Sequence, residues 1–213
     1  MDNIELEFNK RKTEIIKYYE YVKEIIKFQE INDVHMILKS NYYLLLYNLI
    51  EATLNSCYVK IGNILSQYYY KDINDTLKDT FISYNSCAIK KLDDNKAKNR
   101  MLFFEEIFKG KRTLPQDFIG FVNGNVNLDK FKEFAKKLGL DLSEELNKKC
   151  YIYFETILMT RDNLAHGSVS FVDLGRTKTI SDLESANNIF DYLSDFIERF
   201  KLYLIKEVFL SKD

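Results

Sequence analysis

Leu38-Lys39-Ser40-Asn41-Tyr42-Tyr43-Leu44-Leu45-Leu46-Tyr47-Asn48-Leu49-Ile50-Glu51-Ala52-Thr53-Leu54 decides the class of fold. Tyr42, Leu45, Leu46, Leu49, Ile50, Thr53 and Leu54 recur at three- and four-residue spacing, the period of an α-helix, and no Gly or Pro interrupts them. The apolar face is unusually broad, which implies a central position or contact on two sides. The pattern predicts one long helix from about Val34 to Tyr70.

Working outward, Ile15, Tyr18, Tyr19, Val22, Ile25 and Ile26 mark an earlier amphipathic helix with Lys and Glu between them. Between Lys71 and Phe108 the pattern is shorter and more polar, and the charged run from Lys90 to Arg100 reads as a solvated turn between helices. Gly110 to Asn127 is the least regular region, holding Pro115, Gly120 and Gly124. Asp129 to Leu138 returns to helical spacing and stops at Gly139, which suits a left-handed cap. Ser143, followed by Glu144 and Glu145, opens another helix, since a hydroxyl caps it and acids favour its positive end. That helix turns Leu146, Cys150, Tyr151, Phe154, Ile157 and Leu158 inward and ends near His166 and Gly167. Ser168 to Leu174 alternates with period two and Gly175-Arg176 turns into Thr177 to Ile180, which predicts a small β-hairpin. Ser181-Asp182-Leu183-Glu184 has capping-box spacing, and a final helix to about Leu210 follows. With one Pro and seven Gly in 213 residues and no internal repeat, the expectation is an all-α helical bundle carrying that hairpin, as one domain over 1–213.

The hydrophobic fraction of 46%, with 15 Tyr and 16 Phe, is enough for a substantial core and excludes a disordered chain. No window of about eighteen uncharged apolar residues occurs, so no membrane partner is expected. Met1-Asp2-Asn3-Ile4-Glu5 has neither a basic region nor an apolar run behind it, and the expected compartment is the cytoplasm. Thirty-one basic against 32 acidic residues exclude a molecule that is basic overall, so any RNA contact must be local. Cys57, Cys87 and Cys150 are odd in number and show no Cys-x-x-Cys pairing, which reads as free buried thiols.

The most chemically loaded stretch is Arg161-Asp162-Asn163-Leu164-Ala165-His166-Gly167, which holds one of only two histidines. Arginine presents a planar fork suited to phosphate oxygens, and histidine moves protons near neutral pH. On a helix, residues five apart are separated by about 140° around the axis, so Arg161 and His166 of one chain form a splayed pair. Two helices brought together around a two-fold axis would line one cleft with two arginines and two histidines. Arg161 would then stabilise charge on the phosphorus being attacked. His166 would deprotonate a ribose 2′-hydroxyl or protonate the departing 5′-oxygen, leaving a 2′,3′-cyclic phosphate. Asp162 and Asn163 would orient the histidine, hold the arginine or contact a ribose; spacing does not choose among these. No acidic cluster with Mg²⁺-binding geometry lies nearby, so metal-free cleavage with no cofactor is expected. The bland reading of the same residues is a histidine capping a helix C-terminus and an arginine paired with a surface acid. His35, with no evident partner, reads as structural or superficial.

With these residues in view, the chain resembles the HEPN superfamily, the higher-eukaryote and prokaryote nucleotide-binding domains, which are all-helical and often dimeric. The family motif is Arg, four to six residues, then His, commonly with a polar residue directly after the arginine. Arg161, Asp162 and His166 satisfy it, and Ala165-His166-Gly167 adds specificity. The resemblance runs roughly from Ile37 to Phe196. It includes Leu38 to Thr53, the segment Gly124-Asn125-Val126-Asn127-Leu128-Asp129 with its following helix, and the hairpin and Asp182-Leu183 stretch after the motif, and it looks like a bacterial branch found in toxin–antitoxin, abortive-infection and restriction-linked defence loci. The resemblance implies a homodimeric, metal-independent endoribonuclease with Arg161 and His166 catalytic, RNA as substrate, and an antitoxin or defence-system protein as partner. It implies growth arrest or a block to phage replication on release from restraint. Some HEPN toxins carry a tyrosine two residues beyond the histidine as an AMP acceptor, whereas this chain has Ser168 there. Glu51, an acid in an apolar stretch, either reaches the shared cleft, pairs with Arg161 or sits on the helix surface. The alternative function is a non-catalytic HEPN module that binds RNA, nucleotide or protein.

Overall fold

The computed structural model describes residues 2–28, 30, 32–89, 94–120 and 125–211. Helices α1 (Asp2–Phe28), α2 (Asp33–Leu65), α3 (Asp75–Ile89), α4 (Asp94–Phe108), α5 (Leu128–Leu138), α6 (Glu144–Ala165), α7 (Phe171–Arg176), α8 (Ile180–Ala186) and α9 (Ile189–Ile205) make up the described structure, with one 3₁₀ turn at Tyr70–Asp72. Among the described residues there is no sheet, only an isolated antiparallel bridge between Ile73 and Leu210. None of the described helices is long and apolar enough to cross a membrane.

The described residues fall into two compact units. One comprises Met1–Leu54, Asn123–Lys130 and Ser143–Ile197; the other comprises Asn55–Val122, Phe131–Leu142 and Glu198–Asp213. In the first, Tyr42, Tyr43, Leu46, Tyr47, Leu49, Ile50, Thr53 and Leu54 of α2 are all buried. At 100° per residue they span about 160° of the helix circumference, the broad face expected of this segment. Each fully buried side chain of this size contributes about 1.5–3 kcal/mol. Tyr42 stacks at 6.4 Å on Tyr18 of α1, and Phe154 of α6 meets Tyr192 of α9 edge-on at 5.1 Å. In the second unit, Phe81 of α3 is the hub of an aromatic cluster with Tyr70, Phe104 and Phe118 at 5.5–5.9 Å.

The expected hairpin at 168–180 is not formed; the segment folds as α7 and α8. Ser170 Oγ accepts from the Asp173 backbone N–H at 3.0 Å and donates to the Asp173 carboxylate at 2.7 Å, which caps a helix rather than continuing a strand. α2 then fixes the segment, because Ser40 Oγ donates to the Phe171 carbonyl at 2.6 Å and Lys39 Nζ donates to that of Lys178. Gly175 is pressed on the backbone of Met36, where a Cβ would stand 2.0 Å from the carbonyl oxygen. The period-two reading rested on two serines, whereas Phe171 and Leu174 carry the three-residue spacing that packs.

Two further corrections concern helix ends. The capping box of α8 is Thr179 with Asp182, whose carboxylate reaches back to the Thr179 N–H at 2.7 Å, two residues before the Ser181–Glu184 box. α8 ends at Ala186, so the stretch to Leu210 is not one helix. From Asp94 onward the charged run is helical rather than a turn, with its lysines on the exposed side; residues 90–93 lie outside the described ones. Arg100 of that helix lies 5.7 Å from the Phe104 ring and donates to Asn85. Cys57 and Cys150 are free and buried, as expected, and burial pushes both thiols up. The Cys87 side chain and Gly124 lie outside the described set.

Candidate functional site

The register of α6 positions the motif. Ser143 Oγ accepts from the Leu146 N–H at 3.3 Å and starts the helix, as its sequence predicts. Cys150, Phe154, Ile157, Thr160 and Leu164 are its buried residues. At 100° per residue, Arg161 lies about 40° from the middle of that buried stripe, and His166 about 180° from it. Arg161 is therefore half-buried and held, while His166 is exposed at the helix C-cap. Its backbone N–H closes the last turn on the Asp162 carbonyl at 2.9 Å, and Gly167 follows with φ +66°.

Arg161 is fixed through one nitrogen. Nη1 donates to Asp162 Oδ1 at 2.8 Å and to Asn125 Oδ1 at 3.3 Å, while the guanidinium carbon lies 4.6 Å from the Tyr47 ring centroid. Nη2 and Nε, the other edge of the planar fork, make no hydrogen bond to any described residue. The Asp162 hydrogen bond raises the Arg161 pKa most, with Tyr47 and Glu51 adding to the shift and burial opposing it. The cation is permanent. The ion pair itself is a neighbour contact with both side chains about a quarter to a third exposed (26% and 30%), worth about 0–1 kcal/mol, so its consequence is orientation rather than stability.

Of the roles open to Asp162, the geometry favours holding the arginine. Asn163 is exposed and lines a cleft on another side of α6. Glu51 is half-buried on α2, one turn from Tyr47, and acts on Arg161 through its charge without forming an ion pair. His166 is not brought against Arg161 by any described contact, and its imidazole has no hydrogen-bond partner among the described residues. His35 is a core residue, 2% exposed, whose Nδ1 accepts from the Asn32 N–H at 3.1 Å, so the structural alternative holds.

Two residues of the site escaped the sequence reading. Tyr47 is 2% exposed and supplies both the ring beneath Arg161 and a hydroxyl that accepts from the Val126 N–H at 3.1 Å. Burial raises its pKa, so it stays a neutral phenol. Asn125 takes a left-handed backbone (φ +40°), which asparagine tolerates better than most residues, and its side-chain oxygen meets Arg161. Its only signal was its place in the Gly124–Asp129 stretch. Among the described residues no three His, Cys, Asp or Glu side chains form a group able to hold a metal ion.

Neither a curated protein nor a solved structure matches the chain. A family model described as HEPN_MAE_28990-like HEPN matches residues 1–209, spanning both compact units. A match of that extent supports a nucleotide-binding or RNase-type module. The helical architecture, the Arg161–His166 motif on α6 and this nearly full-length match together make the chain a member of the HEPN superfamily.

Proposed function

We propose that the protein is a metal-independent endoribonuclease whose site is shared between two copies of the chain, and that it acts as a toxin or phage-defence effector in the cytoplasm. The observation that carries the reading is the free edge that Arg161 shows among the described residues: Asp162, Asn125 and Tyr47 hold the cation through Nη1 and the ring, while Nη2 and Nε donate to no described residue. Such a fork suits two oxygens of a phosphate. In the proposed reaction Arg161 binds non-bridging oxygens and stabilises charge as the ribose 2′-oxygen attacks phosphorus. His166 of the other copy takes the 2′-hydroxyl proton or gives one to the leaving 5′-oxygen. The products are a 2′,3′-cyclic phosphate and a free 5′-hydroxyl, with no net change in proton count. The whole chain, 1–213, serves as one HEPN-like module, restrained by an antitoxin or defence-system protein.

Cleavage of RNA in EDTA tests this. Wild type should cut; Arg161→Ala should lose at least about a hundredfold, the scale of removing one preorganised donor, and His166→Ala about 10²–10⁴-fold. Mixed dimers of the two variants keep one intact Arg161 facing one intact His166 in trans. Random mixing makes about half the dimers mixed, each with one of two sites, so about a quarter of wild-type activity should return. No cleavage of tRNA, mRNA or rRNA by wild type, or no recovery on mixing, rejects the composite site. An exposed imidazole with no hydrogen-bond partner among the described residues favours one second reading, a nucleotide-binding module without turnover. In that case His166→Ala binds RNA as wild type does and neither cuts.

A further inference from the structure

Along α6, Thr156, Thr160 and Asn163 share a stripe distinct from Arg161, and they form one wall of a cleft of about 360 Å³. Met159, Val169 and Leu174 make its surface mainly apolar, and Lys178 also lines it, with its ammonium 5.1 Å from the Tyr43 ring centroid. A largely apolar hollow with few polar groups is the usual form of a small-molecule site.

The hydroxyls are what single it out. Thr13 and Thr53, inside α1 and α2, satisfy themselves by donating to the carbonyl four residues earlier at 2.8 and 2.7 Å. Thr160 is 4% exposed and Thr156 half-buried, yet neither hydroxyl makes a hydrogen bond to any described residue. Both residues open on the same cleft, and neither hydroxyl is a buried atom without a partner, so each is reachable from the cleft and available to a ligand there. Hydroxyls donate and accept, as the edge of a nucleobase requires; the apolar surface suits a base's faces and the lysine suits a phosphate.

We propose that this cleft binds a single ribonucleotide, its base against Met159, Val169 and Leu174, its base edge on Thr156 and Thr160, and its phosphate at Lys178. Where the nucleotide belongs to an RNA strand, the cleft reads a base near the bond cut, and this part rests on the ribonuclease reading. Asn163, within the motif and in the cleft wall, joins the two.

The test titrates full-length protein in EDTA with each of the four ribonucleoside monophosphates and with inorganic phosphate, and maps the ends of RNA it has cut. Thr160→Val and Thr156→Val remove a hydroxyl while keeping size. Wild type should bind one base best, and each variant should bind it about threefold to tenfold more weakly, the effect of one uncharged hydrogen bond. Phosphate affinity should not move. An altered base preference at the cut identifies a strand nucleotide; an unaltered one with weakened mononucleotide binding identifies a free nucleotide. Wild-type affinities no higher than that for phosphate, or folded variants that bind as wild type, overturn the inference even if RNA is cut. Base-selective binding lost in the variants without any cleavage sustains the cleft and rejects the ribonuclease. Should Thr160→Val not fold, the half-buried Thr156→Val decides alone.

Discussion

Replacing Tyr47 separates two functions that one side chain performs. Tyr47→Phe keeps the ring 4.6 Å from the Arg161 guanidinium but removes the hydroxyl that accepts from the buried Val126 N–H. An orphaned buried donor costs about 1–3 kcal/mol. For a chain of about 200 residues that is a fall in melting temperature of about 2–12 °C. Tyr47→Leu adds the loss of the cation–π contact, about 0.5–2 kcal/mol, and a void where the ring stood. For cleavage the two should diverge. The Phe variant loosens the turn bearing Asn125 while the ring still holds the guanidinium, so kcat/KM falls less than tenfold. The Leu variant frees the arginine to swing, and an ångström of misplacement is worth about a hundredfold. Thermal unfolding beside RNA cleavage by the same preparations measures both. Equal cleavage by the Phe and Leu variants would refute the idea that the ring positions Arg161, and an unchanged melting temperature for Tyr47→Phe would remove the Val126 bond from the account.

Gly175→Ala should cost at least about 3 kcal/mol: the new Cβ, 2.0 Å from the Met36 carbonyl oxygen, forces α7 off α2 and strains the Ser40 and Lys39 hydrogen bonds. Urea unfolding measures it, and a wild-type midpoint would mean that α7 does not pack there. Alkali should also destabilise the fold, because burial raises the pKa of Tyr18 to about 12 and raises those of Tyr42, Tyr43, Tyr47, Tyr58, Tyr192 and Tyr203 as well. These groups hold their protons in the native state when the unfolded chain has lost them. Their contribution is thus complete below about pH 10 and falls as pH rises above it, and urea midpoints that agree at pH 9 and pH 11 would contradict this.

The helices were legible where burial follows period alone. The Ser143 cap, the stop at Gly139 (φ +71°) and most of the α2 face rest on local chemistry and appear as expected, although Leu45 is only half-buried and the helix ends at Leu65 rather than near Tyr70. Legibility failed between 168 and 188, where tertiary contacts decide. Gly175 signalled a turn, yet its missing Cβ serves a backbone contact with a residue 139 positions away, and no window of sequence reveals that partner. The charged run at α4 misled for a different reason: Lys and Arg are good helix formers, so a hydrated face was mistaken for a gap in structure. At the site, the motif named Arg161 and Asp162, but Tyr47 was one aromatic among 31 Tyr and Phe in the chain. What distinguishes it is its neighbour across the fold.

The rotation of α6 also explains why Arg161 and His166 behave so differently. A separation of five residues places Arg161 at the edge of the buried stripe, where Tyr47 and Asn125 restrain it, and His166 on the opposite side, facing away from its own core. Restraint suits a group that must meet a charge in a fixed place. Exposure suits a group that must act on something arriving from outside its own chain. An arrangement that brought both residues together within one chain would need them three or four apart, and this sequence spaces them five apart. The spacing itself therefore argues for a partner helix, which is the step that recovery of activity in mixed dimers measures.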